Sequence, residues 1–243
     1  MNQEKVKQIR NKKSLTLSHY ISIYNLCKDL SDKTFYFSDL KESNDILEKQ
    51  LFNVTDLDRK IFGLCFSQNN ESIPMWSIYT KSGEDVVSED DGVLLKIFFK
   101  ENKTYDDLFV KNTDKKIQSS FIHYRKLALI KKAIRNKDFS VLEKEEKNIN
   151  DYKLYIKSKF WQFEKEYRYI VCKDKTFSDD HLNIEINFNS IKKMKIIINP
   201  LSKYNGKTLR NYLSKKNVNL NLVKIECTKS KLSGNLKEDK FKK

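Results

Sequence analysis

Apolar and polar side chains alternate near the start of the chain, in the stretch SLTLSHY at residues 14–20. This period of two predicts a strand that ends at His19. Ser22 then stands where a helix N-cap is expected, and four apolar residues recur at helical spacing after it: Ile23, Leu26, Cys27 and Leu30. A second strand at residues 34–38 and a second amphipathic helix after DLKESND follow.

The rest of the chain continues this mixture of strands and helices. Ser72 and Pro74 predict the first turn of a short helix that carries Trp76 and Tyr79 on one face. Residues 101–158 are polar and carry apolar residues in helical register, which predicts a helical insertion. A further helix is predicted across 203–215. Strands are predicted in six stretches: IFGLCFS, GVLLKIFF, FWQFEKEYRYIV, HLNIEINF, MKIIINP and LNLVKIEC.

Helices fill only some of the gaps between the strands. This order predicts an α+β fold with a mixed, split β-sheet flanked by helices rather than a doubly wound sheet. A length of 243 residues, 39% of them hydrophobic, is enough for a full core, and five Gly and two Pro leave little material for linkers. We therefore expect a single domain over residues 1–243, with a disordered tail at about 232–243.

The stretch FWQFEKEYRYIV, residues 160–171, places three charges inside a dense aromatic run. In a strand, Glu164, Glu166 and Arg168 would project from one face of the sheet. The aromatic residues Phe163, Tyr167 and Tyr169 would project from the other, and Trp161 and Phe163 are expected in the core. The three charges predict either a functional site or a surface ion pair between Glu164 and Arg168 that contributes little to stability.

Cysteine and histidine give no sign of a metal site or a disulfide framework. The four cysteines are dozens of residues apart: Cys27, Cys65, Cys172 and Cys227. Three scattered histidines make a zinc site unexpected as well. The chain has no apolar run near 18 residues and no signal peptide. We therefore expect a cytoplasmic protein with reduced thiols, no metal and no membrane partner.

The formal net charge of +15 has two interpretations. Arginine, which suits bidentate phosphate and base recognition, occurs at only six positions, and the excess is mostly diffuse lysine. The charge therefore indicates either a solvated lysine-rich surface or attraction to a polyanionic partner such as a nucleic acid.

Common catalytic motifs are missing from the sequence. It contains no P-loop, no GxGxxG, no HExxH and no GxSxG. The remaining candidates are His19, the aromatic pair Trp76 and Tyr79, and the run Glu-Lys-Glu-Tyr-Arg. Each has a structural alternative, since a strand-end histidine and a helical Trp/Tyr pair are more often core residues than ligands.

Five stretches occur in the order seen in a bacterial family of unknown function: HY before a helix, FSDLKESND, CFSQNNESIPMWSIY, DDGVLLKI and KSKFWQFEKEYRYIV. The resemblance covers about residues 15–230, and the family is associated with AbiGi-type abortive-infection phage resistance. A histidine often found in that family before the Gly of the G-V strand is absent here, where SEDDG precedes Val93. The resemblance implies a bacterial antiviral defence protein with an antitoxin or another product of a defence operon as its partner.

A histidine at the end of the first strand, an aromatic residue on a later helix and a glutamate on a late strand resemble the His-Tyr-Glu motif of ADP-ribosyltransferases. These include DNA-targeting toxins whose first strand also reads HY. This resemblance implies an ADP-ribosyltransferase-like fold and NAD as a substrate, with Glu166 as the catalytic carboxylate and Glu164 orienting. It assigns NAD contacts to five residues: His19, Tyr20, Trp76, Tyr79 and Arg168. His19, Glu166 and at least one of Trp76 or Tyr79 should converge on one cleft, within about 10–12 Å of one another. ADP-ribose would pass to a macromolecular acceptor, a nucleic acid or a protein, or NAD would be hydrolysed.

Two non-enzymatic alternatives stay open. The first is a sensor or antitoxin-like module of an abortive-infection system that binds a nucleotide or a phage protein without chemistry. The second is a nucleic-acid-binding protein that uses its lysine-rich surface.

Overall fold

The computed structural model describes residues 15–43, 45–55, 58–80, 91–111, 116–142, 152–202, 204–221 and 223–235. The chain divides into two compact units. The first unit comprises Met1–Phe35, Asn69–Val110 and Glu185–Lys243, and the second comprises Tyr36–Gln68 and Lys111–Ile184. The expectation of a single domain stays a prediction.

The described residues form eleven strands and five α-helices, which agrees with the predicted α+β class. The strands are β1 Thr16–Ser22, β2 Thr34–Asp39, β3 Arg59–Ser67, β4 Gly92–Phe99, β5 Gln118–Phe121, β6 His123–Arg125, β7 Ile156–Ser158, β8 Glu166–Asp174, β9 His181–Glu185, β10 Ile191–Ile198 and β11 Lys224–Lys229. The helices are α1 Ile23–Asp32, α2 Ile46–Thr55, α3 Ile73–Tyr79, α4 Leu127–Asn136 and α5 Gly206–Lys215.

The first unit is built on four strands in the order β11, β10, β4, β1. β4 runs antiparallel to β1 and β10, whereas β10 and β11 are parallel, so this sheet is mixed as predicted. One face carries a buried apolar row across the four strands: Leu17, Ile97, Met194 and Ile225. Helices α1 and α5 pack on β1 and β11, respectively.

The second unit is organised around β8, which pairs antiparallel with β3 on one side and with β5 on the other. β2 pairs with β3, and β6 and β7 form a separate parallel pair. Burial removes large apolar side chains from water, which is the main favourable term in folding. One core cluster of this unit contains Leu40, Phe52, Ile61, Leu154 and Ile170.

Most of the predicted elements are confirmed, with shifted ends. The first strand continues past His19 to Ser22, and the Ser22 hydroxyl accepts a hydrogen bond of 3.2 Å from Asn25 N as the N-cap of α1. Pro74 stands in the first turn of α3 as expected. The predicted helix across 203–215 begins at Gly206.

The predicted helical insertion at 101–158 is wrong for most of its length. Among the described residues of that range, only α4 is an α-helix, and β5, β6 and β7 are strands. Phe121 and Tyr124, which suggested helical register, lie on two successive strands. β5 gains its hydrogen bonds from β8, so pairing with a distant strand overrides the local periodicity.

Two further predictions concern chain segments outside regular strands. The residues Lys231–Asn235 form a 3₁₀ helix, and the remainder of the predicted tail lies outside the described residues. The stretch 160–171 is not one strand, because Lys159–Glu164 form a 3₁₀ helix and β8 begins only at Glu166. Lys165 between them is left-handed, with φ 43° and ψ 53°.

Candidate functional site

Glu166 and Arg168 stand on one face of β8, as the period of two predicts. In the register with β3, Glu166 is opposite Ser67 and Arg168 is opposite Cys65. Tyr167 and Tyr169 project from the other face, and their rings meet edge to face at 5.2 Å. The start of β8 therefore separates a charged surface from an aromatic one within the second unit.

Five charged side chains of the second unit form a continuous ionic cluster: Glu48, Lys157, Glu164, Glu166 and Arg168. All five are buried, and Arg168 is only 1% exposed. They come from α2, β7, the 3₁₀ helix that precedes β8, and β8 itself. We call this set the ionic cluster.

Two cations hold the carboxylates of the ionic cluster. Lys157 Nζ lies 2.6 Å from Glu164 Oε2 and 3.1 Å from Glu166 Oε2. Arg168 Nε donates to Glu166 Oε1 over 2.6 Å, and Arg168 Nη2 lies 2.6 Å from Glu48 Oε1. Glu166 thus has a different cation on each of its oxygens, which fixes the plane of its carboxylate.

Neutral groups complete the surroundings of the ionic cluster. Arg168 Nη1 donates to the Leu154 carbonyl over 2.9 Å, and Ser43 Oγ donates to Glu48 Oε2 over 2.6 Å. The Tyr124 hydroxyl accepts a hydrogen bond of 2.9 Å from Glu166 N. Buried charges are tolerated when they are paired and hydrogen-bonded in this way.

The left-handed residue Lys165 explains how Glu164 and Glu166 reach the same ammonium. Residues two apart in a strand would project in parallel, about 6.6 Å apart. Here the 3₁₀ helix ends at Glu164, the chain turns at Lys165, and both side chains converge on Lys157. The Lys157 ammonium also lies 5.0 Å from the centre of the Trp161 ring.

Electrostatics keep Glu166 ionised despite its burial. Burial alone would raise the pKa of this carboxyl, but Arg168 and Lys157 outweigh it and hold the pKa well below its usual range. Burial would likewise lower the pKa of Lys157, and the carboxylates of Glu166, Glu48 and Glu164 instead raise it. Glu166 is therefore ionised and Lys157 protonated over the physiological pH range.

The pKa values of two groups beside the ionic cluster, Cys65 and Asp45, are raised. The pKa of the Cys65 thiol is raised by burial and by the adjacent Glu166 carboxylate, so Cys65 is a neutral thiol and not a thiolate nucleophile. The pKa of Asp45 is raised by burial and, to a lesser degree, by Glu48. Cys65 therefore adds no reactive anion to the ionic cluster.

The surface ion pair between Glu164 and Arg168 considered from the sequence is not what the structure contains. Glu164 pairs with Lys157, Arg168 pairs with Glu166 and Glu48, and all are buried. Trp161 and Phe163, expected in the core, are only half-buried, with ring centres 6.0 Å apart. Both differences follow from the 3₁₀ helix, which turns this segment out of the strand.

The other predicted residues belong to the first unit. Tyr20 and Trp76 are buried and meet edge to face at 5.0 Å, and the Tyr20 hydroxyl accepts a hydrogen bond of 2.9 Å from Ser72 N. Burial raises the pKa of Tyr20 to about 12. These contacts attach α3 to β1, which is a structural role for both rings. Tyr79 is half-buried on the same helix.

His19 does not join Tyr20 and Trp76. Consecutive strand residues point to opposite faces, so His19 lies on the face of β1 that also carries Leu17, and its ring meets Phe35 at 6.3 Å. Trp76 therefore lies with Tyr20 and not with His19, and the convergence of His19 with Tyr79 stays a prediction. The structure brings together Glu164, Glu166 and Arg168 in one unit and Tyr20 with Trp76 in the other.

Sequence reasoning missed Glu48 and Lys157. Glu48 is one of several acidic residues near an amphipathic helix, and nothing local distinguishes it. Lys157 could have been recognised from the sequence, because it directly follows the apolar run LYI at residues 154–156 and precedes the aromatic residues Phe160 and Trp161. A lysine in such a run needs a buried anion, and the two nearby glutamates supply it.

The described part of the chain shows neither a metal-binding group nor a membrane-spanning helix. The described residues contain no group of three His, Cys, Asp or Glu side chains placed to hold a metal ion. No helix among them is long and apolar enough to cross a membrane. Comparison with protein-family models, curated proteins and solved structures finds no match for this chain.

Proposed function

We propose that this protein is an NAD-consuming enzyme of bacterial antiviral defence, which transfers ADP-ribose to a macromolecule or hydrolyses NAD. The observation that carries the proposal is the state of Glu166. Its carboxylate is ionised, oriented by Arg168 and Lys157, and placed at the first residue of a central strand. The mixed α+β fold is compatible with an ADP-ribosyltransferase-like architecture.

The chemistry of NAD cleavage requires such a group. Breaking the bond between nicotinamide and ribose passes through an oxocarbenium-like state, which a fixed carboxylate stabilises, as in glycoside cleavage. A carboxylate whose orientation is set before the reaction avoids reorganisation during it. In this assignment Glu166 is the catalytic residue, and Arg168 and Glu164 are positioning residues.

The burial of Glu166 adds a requirement to the proposal. The segment Lys159–Glu164 carries Glu164 and brings the Trp161 ring against Lys157. For NAD to reach the carboxylate, this short segment has to move and draw the ammonium away from Glu166 Oε2. Release of that cation would also leave more of the Glu166 charge for the developing oxocarbenium ion.

His19 and Tyr79 are half-buried residues of the first unit and stay predicted NAD contacts, for the ribose and nicotinamide groups, respectively. Tyr20 and Trp76 hold α3 on β1, so their substitution is expected to affect folding of the first unit before it affects binding.

The test is release of nicotinamide from NAD by the full chain and by Glu166→Gln. The amide keeps the size of the side chain and removes the charge, so turnover should fall about 10²–10³-fold. Glu185→Gln, an exposed change on β9, is the matched control and should keep wild-type turnover. Full turnover by a folded Glu166→Gln protein, or no turnover by the wild type, contradicts the proposal.

One observation favours a second candidate function. Both carboxylates of the 164–166 pair are already satisfied by cations and are 3% exposed. This is the expected state of a structural network in a non-enzymatic sensor or antitoxin-like module. In that case wild-type protein releases no nicotinamide, and Glu166→Gln lowers the free energy of unfolding without any catalytic effect.

A further inference from the structure

The second face of the four-stranded sheet in the first unit carries a group of lysines. The register places Phe98 opposite Lys193, which is opposite Lys224, and in the next row it places Lys96 opposite Lys195. Paired residues share a face of a sheet, so the four lysines on β4, β10 and β11 lie with Phe98 on one surface. We call Lys96, Lys193, Lys195 and Lys224 the lysine face.

The lysines are arranged around the aromatic ring at close range. The ammonium groups of Lys193 and Lys96 lie 4.9 Å and 5.5 Å from the centre of the Phe98 ring. The lysine side chains keep their ends in water, with Lys224 71% and Lys193 31% exposed. The lysine face is thus reachable by a ligand and has an aromatic residue on its β4 side.

The carboxylates on this surface are too few to neutralise the four lysines. Glu226, opposite Lys195 in the register, pairs with Lys193 at 3.3 Å and with Lys224 at 3.2 Å. One carboxylate therefore serves two lysines. Glu71 hydrogen-bonds to the Ser230 hydroxyl and to Lys231 N, and Lys96 Nζ donates to Asn70, a neutral amide.

Like charges gathered in this way repel one another. Burial and the ammonium group of Lys195 lower the pKa of Lys96, and Lys231 adds to this to a lesser degree; the Glu71 carboxylate opposes them but does not outweigh them. Such an arrangement costs folding free energy, and a bound polyanion would remove that cost. The opposite end of the same face is covered by α3 through Tyr20 and Trp76, so the lysine face is the part of the surface that the first unit leaves open.

We propose that the lysine face binds the phosphate backbone of a single-stranded nucleic acid. The lysines span three strands, about 10 Å across, and two rows about 6.6 Å apart, which fits successive phosphates better than one small anion. A flat sheet with an aromatic residue among cations suits unpaired bases, which stack on such rings, whereas a duplex is read by an element that enters a groove. This proposal does not rest on NAD chemistry.

The test measures binding of a fluorescent 20-nucleotide single strand, as DNA and as RNA, to the full chain across a range of salt concentrations. Lys193→Gln with Lys195→Gln removes two phosphate partners. The slope of log K against log salt should then become shallower by about 1.4, because each contact on a single strand contributes about 0.7. Lys131→Gln with Lys132→Gln, on the exposed surface of α4, is the matched control and should leave the slope unchanged.

A second pair of variants separates charge from folding. Lys193→Arg with Lys195→Arg keeps both charges and should keep the wild-type slope, whereas the Gln pair should melt no lower than the wild type, since it removes two of the charges that repel one another. The proposal is overturned if the Gln pair binds with the wild-type slope or if both Gln pairs lose the same slope, which would indicate diffuse charge. Tighter binding to duplex DNA or to phosphatidylserine vesicles than to the single strand also overturns it.

Discussion

Arg168 Nε donates a hydrogen bond of 2.6 Å to Glu166 Oε1, and the two residues are neighbours on one face of β8. The other side of the same guanidinium reaches Glu48 on α2. Arg168 therefore ties the start of a central strand to a helix, and its planar group does so with separate nitrogens. The stability of the second unit should depend on this ion pairing.

Lys157→Met should lower the free energy of unfolding by about 3–5 kcal/mol, because it leaves Glu164 and Glu166 buried without their shared cation. The measurement is urea denaturation followed by far-ultraviolet circular dichroism. Lys60→Met is the control, since Lys60 pairs with the exposed Asp180 at 3.4 Å and should cost under about 1 kcal/mol. Equal losses for the two variants would contradict a structural role for the ionic cluster.

The free energy of unfolding should fall as the pH is lowered from 6.5 towards 5. Burial, and to a lesser degree Arg125, lower the pKa of His123 from 6.5 to about 4. The unfolded chain therefore binds more protons than the folded one in this window, and acid favours unfolding. Denaturation at pH 7 and pH 5 checks this. His123→Gln should reduce the difference between the two pH values, whereas His181→Gln should preserve it.

Phe66→Ala should destabilise the protein by about 3–5 kcal/mol, because Phe66 is 2% exposed and its ring packs on Tyr169 at 5.7 Å. Phe163→Ala should cost clearly less, since Phe163 is half-buried on the 3₁₀ helix before β8. Thermal melting of the two variants tests the comparison. A larger loss for Phe163→Ala would place that ring in the core, as the sequence first suggested.

Gly206→Ala should destabilise the first unit by about 1–3 kcal/mol. A Cβ at Gly206 would lie 2.2 Å from the Cys227 carbonyl oxygen, so α5 would have to move away from β11. Gly63→Ala meets the Leu40 side chain, which can adjust more easily than backbone. Urea denaturation should rank Gly206→Ala as the more damaging change, and the reverse order would be inconsistent with this packing.

The parts of the fold that the sequence predicted correctly have local causes. The Ser22 cap, the Pro74 turn and the alternation along β1 depend on neighbouring residues and on the face to which each one points. β5 and β6 could not be found in this way, because their strand conformation depends on pairing with distant strands.

In the candidate site, too, only the features with local causes were predicted from the sequence. The common face of Glu166 and Arg168 follows from strand periodicity. The left-handed conformation of Lys165 does not, because a lysine rarely adopts it and nothing in the sequence requires it there. The pairing of Arg168 with Glu48 depends on the packing of α2, which local patterns do not encode. The sequence therefore indicated the strand face of Glu166 and Arg168 correctly, but not the residues with which they form ion pairs.

The order in which the chain is made has a consequence for the first unit. Its sheet joins β1 to β4, β4 to β10 and β10 to β11, so its strands come from three separated segments of the chain. During synthesis β4 waits for β10 until residues 191–198 have left the ribosome, and the lysine rows are complete only after residues 224–229 follow. A nascent chain halted near residue 180 therefore leaves the edge of β4 that later pairs with β10 unprotected.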